Sequence, residues 1–344
     1  MILNLNQNIT QKDVNSLMQR LQFMGFQAIC SQGEGRASIA LLKGIDQKTD
    51  IKLFATLPGI EEIKPMNNQF KLSGKEFYLN KTIVDVNGLK IGGDDLTIIA
   101  GPCAIESESQ IFETAKFIAK CGATILRGGA FKPRTSPYDF QGLGEVGLRY
   151  LHEAGKAYNL RTISEVMAIG QIDLLANYVD ILQIGARNMQ NFDLLKAVGQ
   201  VKKPVLLKRG SAATYKDLLM AAEYILSAGN ADVILCERGI RTFESFTRNT
   251  LDITAVPVLK ELSHLPIIVD PSHGTGKRSL ILPMARAAVA AGANGIMVEV
   301  HPEPDKALSD AAQTISPEAF SDMLPSLYAI SQAINVVVNV TTQA

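Results

Sequence analysis

Eight short apolar runs recur from residue 96 onward, and each leads directly into small or chemically capable residues. Buried parallel strands read as continuous apolar stretches, and a barrel of such strands carries its chemistry at their carboxyl ends. Helix-like segments separate the runs, so the pattern predicts an α/β fold, a (β/α)8 TIM barrel with an active site at one rim. The runs are Leu96–Ala100, Ala123–Leu126, Thr162–Ile163, Ile181–Ile184, Val205–Leu207, Val233–Cys236, Ile267–Val269 and Ile296–Val298.

The helix-like segments between these runs have recognisable ends. Ser107–Cys121 is the clearest, because Ser107 and Gln110 have capping-box spacing and Gly122 stops the helix. Thr214–Ala228 repeats the scheme and is followed by Gly229. An open doubly wound sheet would also alternate strands and helices, but the chain lacks its switch-point signature.

Residues 1–70 follow the pattern of a small α+β ferredoxin-like domain, with the order β-α-β-β-α-β. Its predicted helix places four apolar residues on one face and stops at Gly25. The predicted elements are strand Ile2–Leu5, a helix with Val14, Leu17, Met18 and Leu21, strands Phe26–Ser31 and Ala37–Leu42 around a turn at residues 32–35, a short helix around Asp50–Leu57 and strand Ile60–Lys64.

The chain is thereby divided into two domains and a connection. Residues 71–95 are expected to form a linker with a short hairpin that turns at Asn87-Gly88. Residues 96–335 are expected to form the catalytic barrel, and residues 336–344 a tail. A length of 344 residues accommodates this, since a barrel needs roughly 250 residues.

Composition excludes some partners and indicates a compartment. Lysine plus arginine equals aspartate plus glutamate at 34 each, so no global field attracts nucleic acid or an anionic membrane. The four cysteines show no paired spacing, and the first residues lack the layout of an export signal. No apolar run approaches the roughly 20 residues of a membrane span. We therefore expect a soluble, cytoplasmic protein.

Four residues of the predicted rim suggest a metal centre. Cys103 follows the first barrel strand, and His273, Glu299 and Asp310 follow or end the last two. One sulfur, one nitrogen and two oxygen ligands suit a borderline divalent ion such as Mn, Fe, Co, Cu or Zn. A hydrogen-bonded histidine beside solvated carboxylates is an alternative interpretation of the same residues.

A set of basic residues falls on or just beyond the predicted strand ends. In a partly desolvated cleft these cations would repel one another by several kcal/mol unless anions were bound. Arginine binds phosphate and carboxylate in bidentate fashion, so the set predicts substrates that carry such groups. The residues are Arg127, Lys132, Arg134, Arg187, Lys208, Arg209, Arg238 and Arg241.

Two nucleotide-binding motifs match only in part. Gly142–Gly147 fits G-x-G-x-x-G but follows a long loop instead of closing a strand. Gly274–Arg278 lacks the first glycine and the final Ser/Thr of a Walker A loop. A dinucleotide enzyme and a nucleotide triphosphatase are both disfavoured.

Four stretches together resemble the 3-deoxy-D-arabino-heptulosonate 7-phosphate (DAHP) synthases, and the resemblance covers about residues 96–330. The N-terminal domain is similar to that of the type I beta form, in which an extra ferredoxin-like domain serves feedback inhibition by aromatic amino acids. The stretches are Ala100–Ser107, Arg127–Ser136, Gln183–Asn188 and Val269–Gly276.

The resemblance implies a reaction, a cofactor and partners. Phosphoenolpyruvate would condense with erythrose 4-phosphate and water at the entry to the shikimate pathway. The cofactor would be a divalent metal ion and the effector tyrosine or phenylalanine. The assembly would be a homotetramer. It implies metal binding by Cys103, His273, Glu299 and Asp310. It implies phosphoenolpyruvate binding by Arg127, Lys132, Arg187, Lys208 and Arg238. It implies sugar phosphate binding by Lys132, Arg134, Thr135, Ser136 and Asp270.

The chemistry of these residues fits the implied reaction. A metal can act as a Lewis acid on the aldehyde oxygen, while cations neutralise the phosphate and carboxylate of the other reactant. Carbon 3 of phosphoenolpyruvate attacks the aldehyde, water adds at carbon 2, and phosphate leaves by carbon–oxygen cleavage. Glu165, Lys132 and a metal-bound water are all candidates to handle the proton of the added water.

Three alternatives remain at this point. The related 3-deoxy-D-manno-octulosonate 8-phosphate synthases use arabinose 5-phosphate, but they lack the N-terminal domain. Their substrate loop resembles Lys-Ala-Asn-Arg-Ser, whereas residues 132–136 of this chain are Lys-Pro-Arg-Thr-Ser. A Schiff-base aldolase would use Lys208 as nucleophile without a metal. An amino-acid sensor with an inactive barrel is the third.

Overall fold

The computed structural model describes residues 1–33, 36–45, 49, 51–66, 69–78, 80–132, 136 and 138–335. Two compact units can be separated. The first contains residues 1–81 with 262–264, and the second contains residues 82–261 and continues from residue 265. No helix in these described ranges is both long and apolar enough to cross a membrane.

The first unit has the predicted ferredoxin-like topology. Its four-stranded antiparallel sheet has the order β2-β3-β1-β4. The elements are β1 (Ile2–Leu5), α1 (Gln11–Phe23), β2 (Gln27–Gly33), β3 (Arg36–Lys43), α2 (Lys52–Ala55) and β4 (Ile60–Lys64). The order β-α-β-β-α-β is therefore confirmed.

Local sequence explains the better-defined helix of this unit. Thr10 and Asp13 form a reciprocal capping box at the start of α1, and Gly25 follows its end with φ +88°. The buried face consists of Val14, Leu17 and Leu21, whereas Met18 is half-buried. The second helix is a single turn, shorter than predicted. The predicted turn residues 34–35 and the predicted helix residue Asp50 lie outside the described residues.

The predicted hairpin is present and packs into the barrel. Strands β5 (Val84–Val86) and β6 (Leu89–Ile91) pair antiparallel around Asn87 and Gly88, both with positive φ, as a two-residue hairpin turn requires. Val84, Val86 and Ile91 join one apolar cluster with barrel residues. Part of the segment expected as a linker therefore contributes to the core of the second unit.

The second unit contains a closed eight-stranded parallel barrel, which confirms the predicted fold. Each strand pairs with the next one along the chain, and the last pairs with the first. The strands are β7 (Thr97–Gly101), β8 (Ile125–Arg127), β9 (Arg161–Val166), β10 (Ile181–Ile184), β11 (Val205–Lys208), β12 (Val233–Glu237), β13 (Ile267–Val269) and β14 (Gly295–Glu299). Four of these strands end on the charged residue that follows the apolar run.

Helices follow the strands as predicted. They are α3 (Glu108–Cys121), α4 (Glu145–Ala157), α5 (Ile172–Tyr178), α6 (Phe192–Val198), α7 (Tyr215–Ser227), α8 (Ala255–Leu262), α9 (Pro271–Thr275), α10 (Arg278–Ala290) and α11 (Pro317–Asn335). Short 3-10 turns cover Ile169–Gln171, Ala186–Asn188, Pro304–Lys306 and Ala311–Gln313. Residues 336–344, the predicted tail, lie outside the described residues.

The N-terminus of α3 differs in detail from the capping-box prediction. The Ser107 hydroxyl accepts from the backbone N–H of Gln110 as expected. The Gln110 side chain does not return to the cap, because its amide accepts from the N–H of Glu106 and donates to the carbonyl of Ala104. This glutamine instead fixes the loop after β7.

Candidate active site

Four residues far apart in the chain meet at the carboxyl end of the barrel. Cys103 follows β7, His273 lies in α9 after β13, Glu299 ends β14, and Asp310 lies in the loop after β14. Each offers one ligand atom, and these atoms all lie within 4.8 Å of one another. The structure thus brings together the sulfur, nitrogen and two carboxylates expected from the sequence.

The separations of the ligand atoms match a shared ion. The Cys103 Sγ lies 3.4 Å from Asp310 Oδ2, and the His273 Nε2 lies 3.3 Å from Glu299 Oε1 and 3.7 Å from Asp310 Oδ2. Ligands bound at about 2.0–2.3 Å from one ion would be roughly 3–4 Å apart. The four residues therefore lie close enough to share one ion.

Two backbone conformations place ligands here. Gly101 ends β7 with φ +145°, and a Cβ at this position would overlap the carbonyl oxygen of Arg127. Asp310 adopts φ +56°, in the left-handed region that aspartate tolerates better than most residues. Such a conformation at a buried polar cluster is typical of functional sites.

The pKa values of three of these side chains favour the metal-binding protonation state to different extents. Burial raises the pKa of the Cys103 thiol to about 11, and the nearby Glu299 adds to the increase. Burial lowers the pKa of His273 and favours the neutral ring that a metal requires. Burial raises the pKa of Asp310, but His273, Arg248 and Lys132 outweigh it and bring the value to about 2.

Asp270 orients the histidine. Its Oδ2 lies 2.7 Å from the His273 Nδ1 and accepts 2.6 Å from the Lys208 Nζ, while its Oδ1 accepts from the backbone N–H of His273. A hydrogen on Nδ1 leaves the lone pair on Nε2, which faces the other ligands. Asp270, expected to hold the sugar phosphate, is fully buried and bonds to His273 and Lys208.

A cationic cavity of about 260 Å³ adjoins the four ligands. Among the described residues its wall contains most of the predicted cations and one further arginine, Arg248, that the strand-end pattern does not predict. The basic lining residues are Arg127, Lys132, Arg187, Lys208, Arg238, Arg241 and Arg248. Arg134 and Thr135 lie outside the described residues, and Ser136 is described but does not line the cavity.

Arg209 does not join the cavity wall. Its guanidinium donates to Glu237 at 2.8 Å and to Asp252 at 2.9 Å, and it lies 4.6 Å from the centre of the Tyr215 ring. Lys208 ends β11 and donates to Asp270, whereas Arg209, the next residue, turns to Glu237 and Asp252. The expectation that Arg209 faces the substrate is therefore wrong.

Arg248 and Gln313 are functional candidates without a strand-end signal. Arg248 lies in the loop after β12, where its Nη1 is 3.3 Å from Asp310 Oδ2 and 2.9 Å from the side-chain oxygen of Gln313. Both residues are more than ten positions beyond the end of the preceding strand. The long loops fold back and place both side chains beside the four ligand residues, and the strand-end pattern does not predict this.

Three further groups in the wall are poised for chemistry. The Lys132 Nζ lies 3.0 Å from both the Sγ and the carbonyl oxygen of Cys103. Glu165 lines the cavity beside Gly185, where any Cβ would overlap its carboxylate. Within the described chain, the Nε of Arg127 is a buried donor with no hydrogen-bond partner, although its Nη1 is paired with Glu299 at 2.7 Å.

Comparisons with known proteins point to one family for both units. The model of the DAHP synthetase I family matches residues 74–335, and that of the DAHP synthase ferredoxin-like domain matches residues 1–68. The chain is 46% identical to the phospho-2-dehydro-3-deoxyheptonate aldolase of Thermotoga maritima over 98% of this chain and 100% of that one.

A solved structure and a second relative extend the comparison. The crystal structure of DAHP synthase from Thermotoga maritima is similar with a TM-score of 0.78 at 45% identity and covers 97% of this chain and 98% of its own. A 2-dehydro-3-deoxyphosphooctonate aldolase of Desulfosudis oleivorans is 32% identical over 74% of this chain and 97% of its own. The second similarity leaves about a quarter of this chain unmatched.

Proposed function

This chain belongs to the DAHP synthetase I family, and on that premise we propose that it condenses phosphoenolpyruvate with erythrose 4-phosphate and water to DAHP and phosphate. The observation that carries the proposal is the cluster of four ligand residues beside a cavity rich in cations. The reaction needs both, because one reactant carries an aldehyde to polarise and both carry phosphate.

The cations of the cavity would bind phosphoenolpyruvate. Its phosphate and carboxylate meet Arg127, Lys132, Arg187, Lys208 and Arg238, as the family resemblance implies. The buried Nε of Arg127 supports this, since a buried donor without a partner is unfavourable until an acceptor arrives. These fixed cations neutralise charge on the leaving phosphate without reorganisation.

Erythrose 4-phosphate would lie nearer the ligand cluster, with its phosphate on Arg134, Thr135 and Ser136. Cys103, His273, Glu299 and Asp310 would hold a divalent ion, which would supply Lewis-acid polarisation of the aldehyde oxygen when bound. Manganese, iron, cobalt, copper and zinc all suit the mixed ligand set. Asp270 acts on this end of the site by orienting His273 and Lys208.

Glu165 would take the proton of the water that adds at carbon 2. Among the described residues of the cavity wall, the acids are Glu165 and Asp310, and Asp310 is assigned to the metal. Lys132 is engaged with the Sγ and carbonyl of Cys103, which leaves Glu165 as the better-placed base. A glycine at position 185 provides the space for its carboxylate.

Substrate choice is tested by measuring phosphate release from phosphoenolpyruvate with erythrose 4-phosphate and with arabinose 5-phosphate. We expect turnover with the four-carbon sugar and loss of activity in a chelator, with recovery on addition of Mn²⁺. Faster turnover with the five-carbon sugar would instead support the octulosonate reaction. A borohydride-trapped adduct on Lys208 would support a Schiff-base aldolase, which the ion pair of Lys208 with Asp270 disfavours.

The first unit would bind tyrosine or phenylalanine and inhibit the barrel, in a homotetramer. The regulatory role is based on the match of residues 1–68 to the DAHP synthase ferredoxin-like domain, and the tetramer on what the family resemblance implies. A chain that starts at residue 71 keeps the Leu72 carbonyl bound by His264 Nε2 at 2.7 Å and provides the test. We expect it to retain turnover and lose the response to both amino acids. Loss of turnover in a truncated chain with a folded barrel would contradict this division of roles.

A further inference from the structure

The side chain of Gln313 bridges two of the four ligand residues. It is 2% exposed, and its Nε2 lies 2.6 Å from Glu299 Oε2 and 3.3 Å from Asp310 Oδ2. Its oxygen accepts from Arg248 at 2.9 Å. Both amide hydrogens and the amide oxygen therefore have partners within the protein.

Charge fixes which way this amide points. The nitrogen faces two carboxylates and the oxygen faces a guanidinium, so the reversed amide would place oxygen against oxygen. Arg248 thereby orients Gln313, and Gln313 in turn orients the carboxylates. The amide holds Glu299 by Oε2, while Oε1 accepts from the Arg127 Nη1 at 2.7 Å and lies 3.3 Å from the His273 Nε2.

We propose that Gln313 is a positioning residue that sets the metal affinity of this site. The inference rests on the metal-dependent function proposed above. Arg127 already pairs with Glu299 and Arg248 with Asp310. The neutral amide shared between the two carboxylates offsets their remaining repulsion without adding a third positive charge that would oppose a cation. Partners that hydrogen-bond to metal-binding carboxylates typically change metal affinity by about 10–100-fold when removed.

Asn230 provides a matched control for a purely structural role. It is 6% exposed, its Nδ2 donates to the carbonyls of Val201 and Lys203, and its Oδ1 accepts from the N–H of Asp232. It thus has the same number of donated and accepted bonds as Gln313. It lies just before β12, at the end of the barrel opposite the ligands.

The test is the dissociation constant of Mn²⁺, measured on the full chain by competition with a fluorescent chelator. We expect Gln313→Met to raise it about 10–100-fold, and Asn230→Leu to change it less than about twofold. Thermal unfolding in EDTA is expected to shift to a similar extent in both variants. At saturating Mn²⁺, Gln313→Met is expected to recover activity.

Two results would overturn the inference in different ways. If wild-type protein binds Mn²⁺ and Gln313→Met binds it within about twofold, Gln313 has no positioning role and the proposed function is unaffected. If the wild-type chain binds no divalent ion, the metal centre and this inference both fail. Should Gln313→Met not fold, Gln313→Asn keeps a buried amide that is too short for the carboxylates, and the same loss of affinity is expected.

Discussion

The two ends of the same eight-stranded barrel are built from different chemistry. At the amino end the hairpin residues Val84, Val86 and Ile91 pack with barrel residues in an apolar cluster. At the carboxyl end, charged side chains such as Arg127 and Glu299 are nearly or fully buried and are paired. Burial stabilises the first end directly, whereas each buried charge at the second end needs a partner or a ligand.

This contrast separates residues that hold the fold from residues that carry the activity. Changes at the apolar end should alter the free energy of unfolding and leave turnover intact. Changes at the charged end should alter metal binding or turnover, which changes at the apolar end should not. A pair of matched variants at each end tests whether this contrast holds.

The largest effect is expected for removal of the sulfur ligand. Cys103→Ala should lower activity by more than about 100-fold, because loss of a ligand exceeds the loss caused by a supporting partner. Cys236→Ala is the control, since Cys236 is equally buried, belongs to the apolar cluster and is not a ligand residue. It should keep near wild-type turnover. Steady-state kinetics at fixed Mn²⁺ checks both, and equal losses would contradict the assignment of Cys103.

The buried carboxylate behind His273 should affect both stability and metal binding. Asp270→Asn leaves Lys208 without its anionic partner at 2.6 Å, which costs about 3–5 kcal/mol for a buried pair. It also releases the His273 ring, so metal affinity should fall about 10–100-fold. Urea unfolding and Mn²⁺ titration measure the two effects.

The double variant Lys208→Met with Asp270→Asn sharpens this result. It removes both charges, so part of the lost stability should return while metal affinity stays low. Recovery of metal affinity in the double variant would show that Asp270 acts through Lys208 and not through His273.

At the apolar end the expected effect is on stability alone. Ile91→Ala removes a fully buried side chain from the cluster and should lower the free energy of unfolding by about 2–5 kcal/mol with turnover unchanged. Ile83→Ala is the control, because Ile83 is 51% exposed in the segment just before β5 and should change stability by less than about 0.5 kcal/mol. A fall in kcat for Ile91→Ala would remove the contrast between the two ends.

The sequence predicted the regular parts of this molecule better than its loops. Apolar runs mark parallel strands because both faces are buried, and a charged residue after a run marks the rim, as Arg127 and Glu299 do. The rule fails for Arg209, which follows the end of β11 but pairs with Glu237 and Asp252 and does not line the cavity. The rule makes no prediction for Arg248 and Gln313, because their positions depend on the folded conformation of long loops.

The smallest predicted effect is a pH dependence of metal binding with a defined sign. Burial raises the pKa of Cys103 to about 11, so the thiol is protonated at neutral pH, and it must lose this proton to bind a metal. His273 with a lowered pKa is already neutral, and Asp310 with a pKa of about 2 is already ionised. Each bound ion should therefore release about one proton near pH 8, and affinity should rise about tenfold per pH unit below the thiol pKa.

Calorimetric titration of Mn²⁺ in two buffers of different ionisation enthalpy measures the number of protons released. Cys103→Ala in the same titration should release none, because the remaining ligands carry no proton to lose. If the variant also releases a proton, that proton comes from another group, and metal binding does not depend on ionisation of Cys103. Release by the wild type alone would identify the buried thiol as the ligand that links metal affinity to pH.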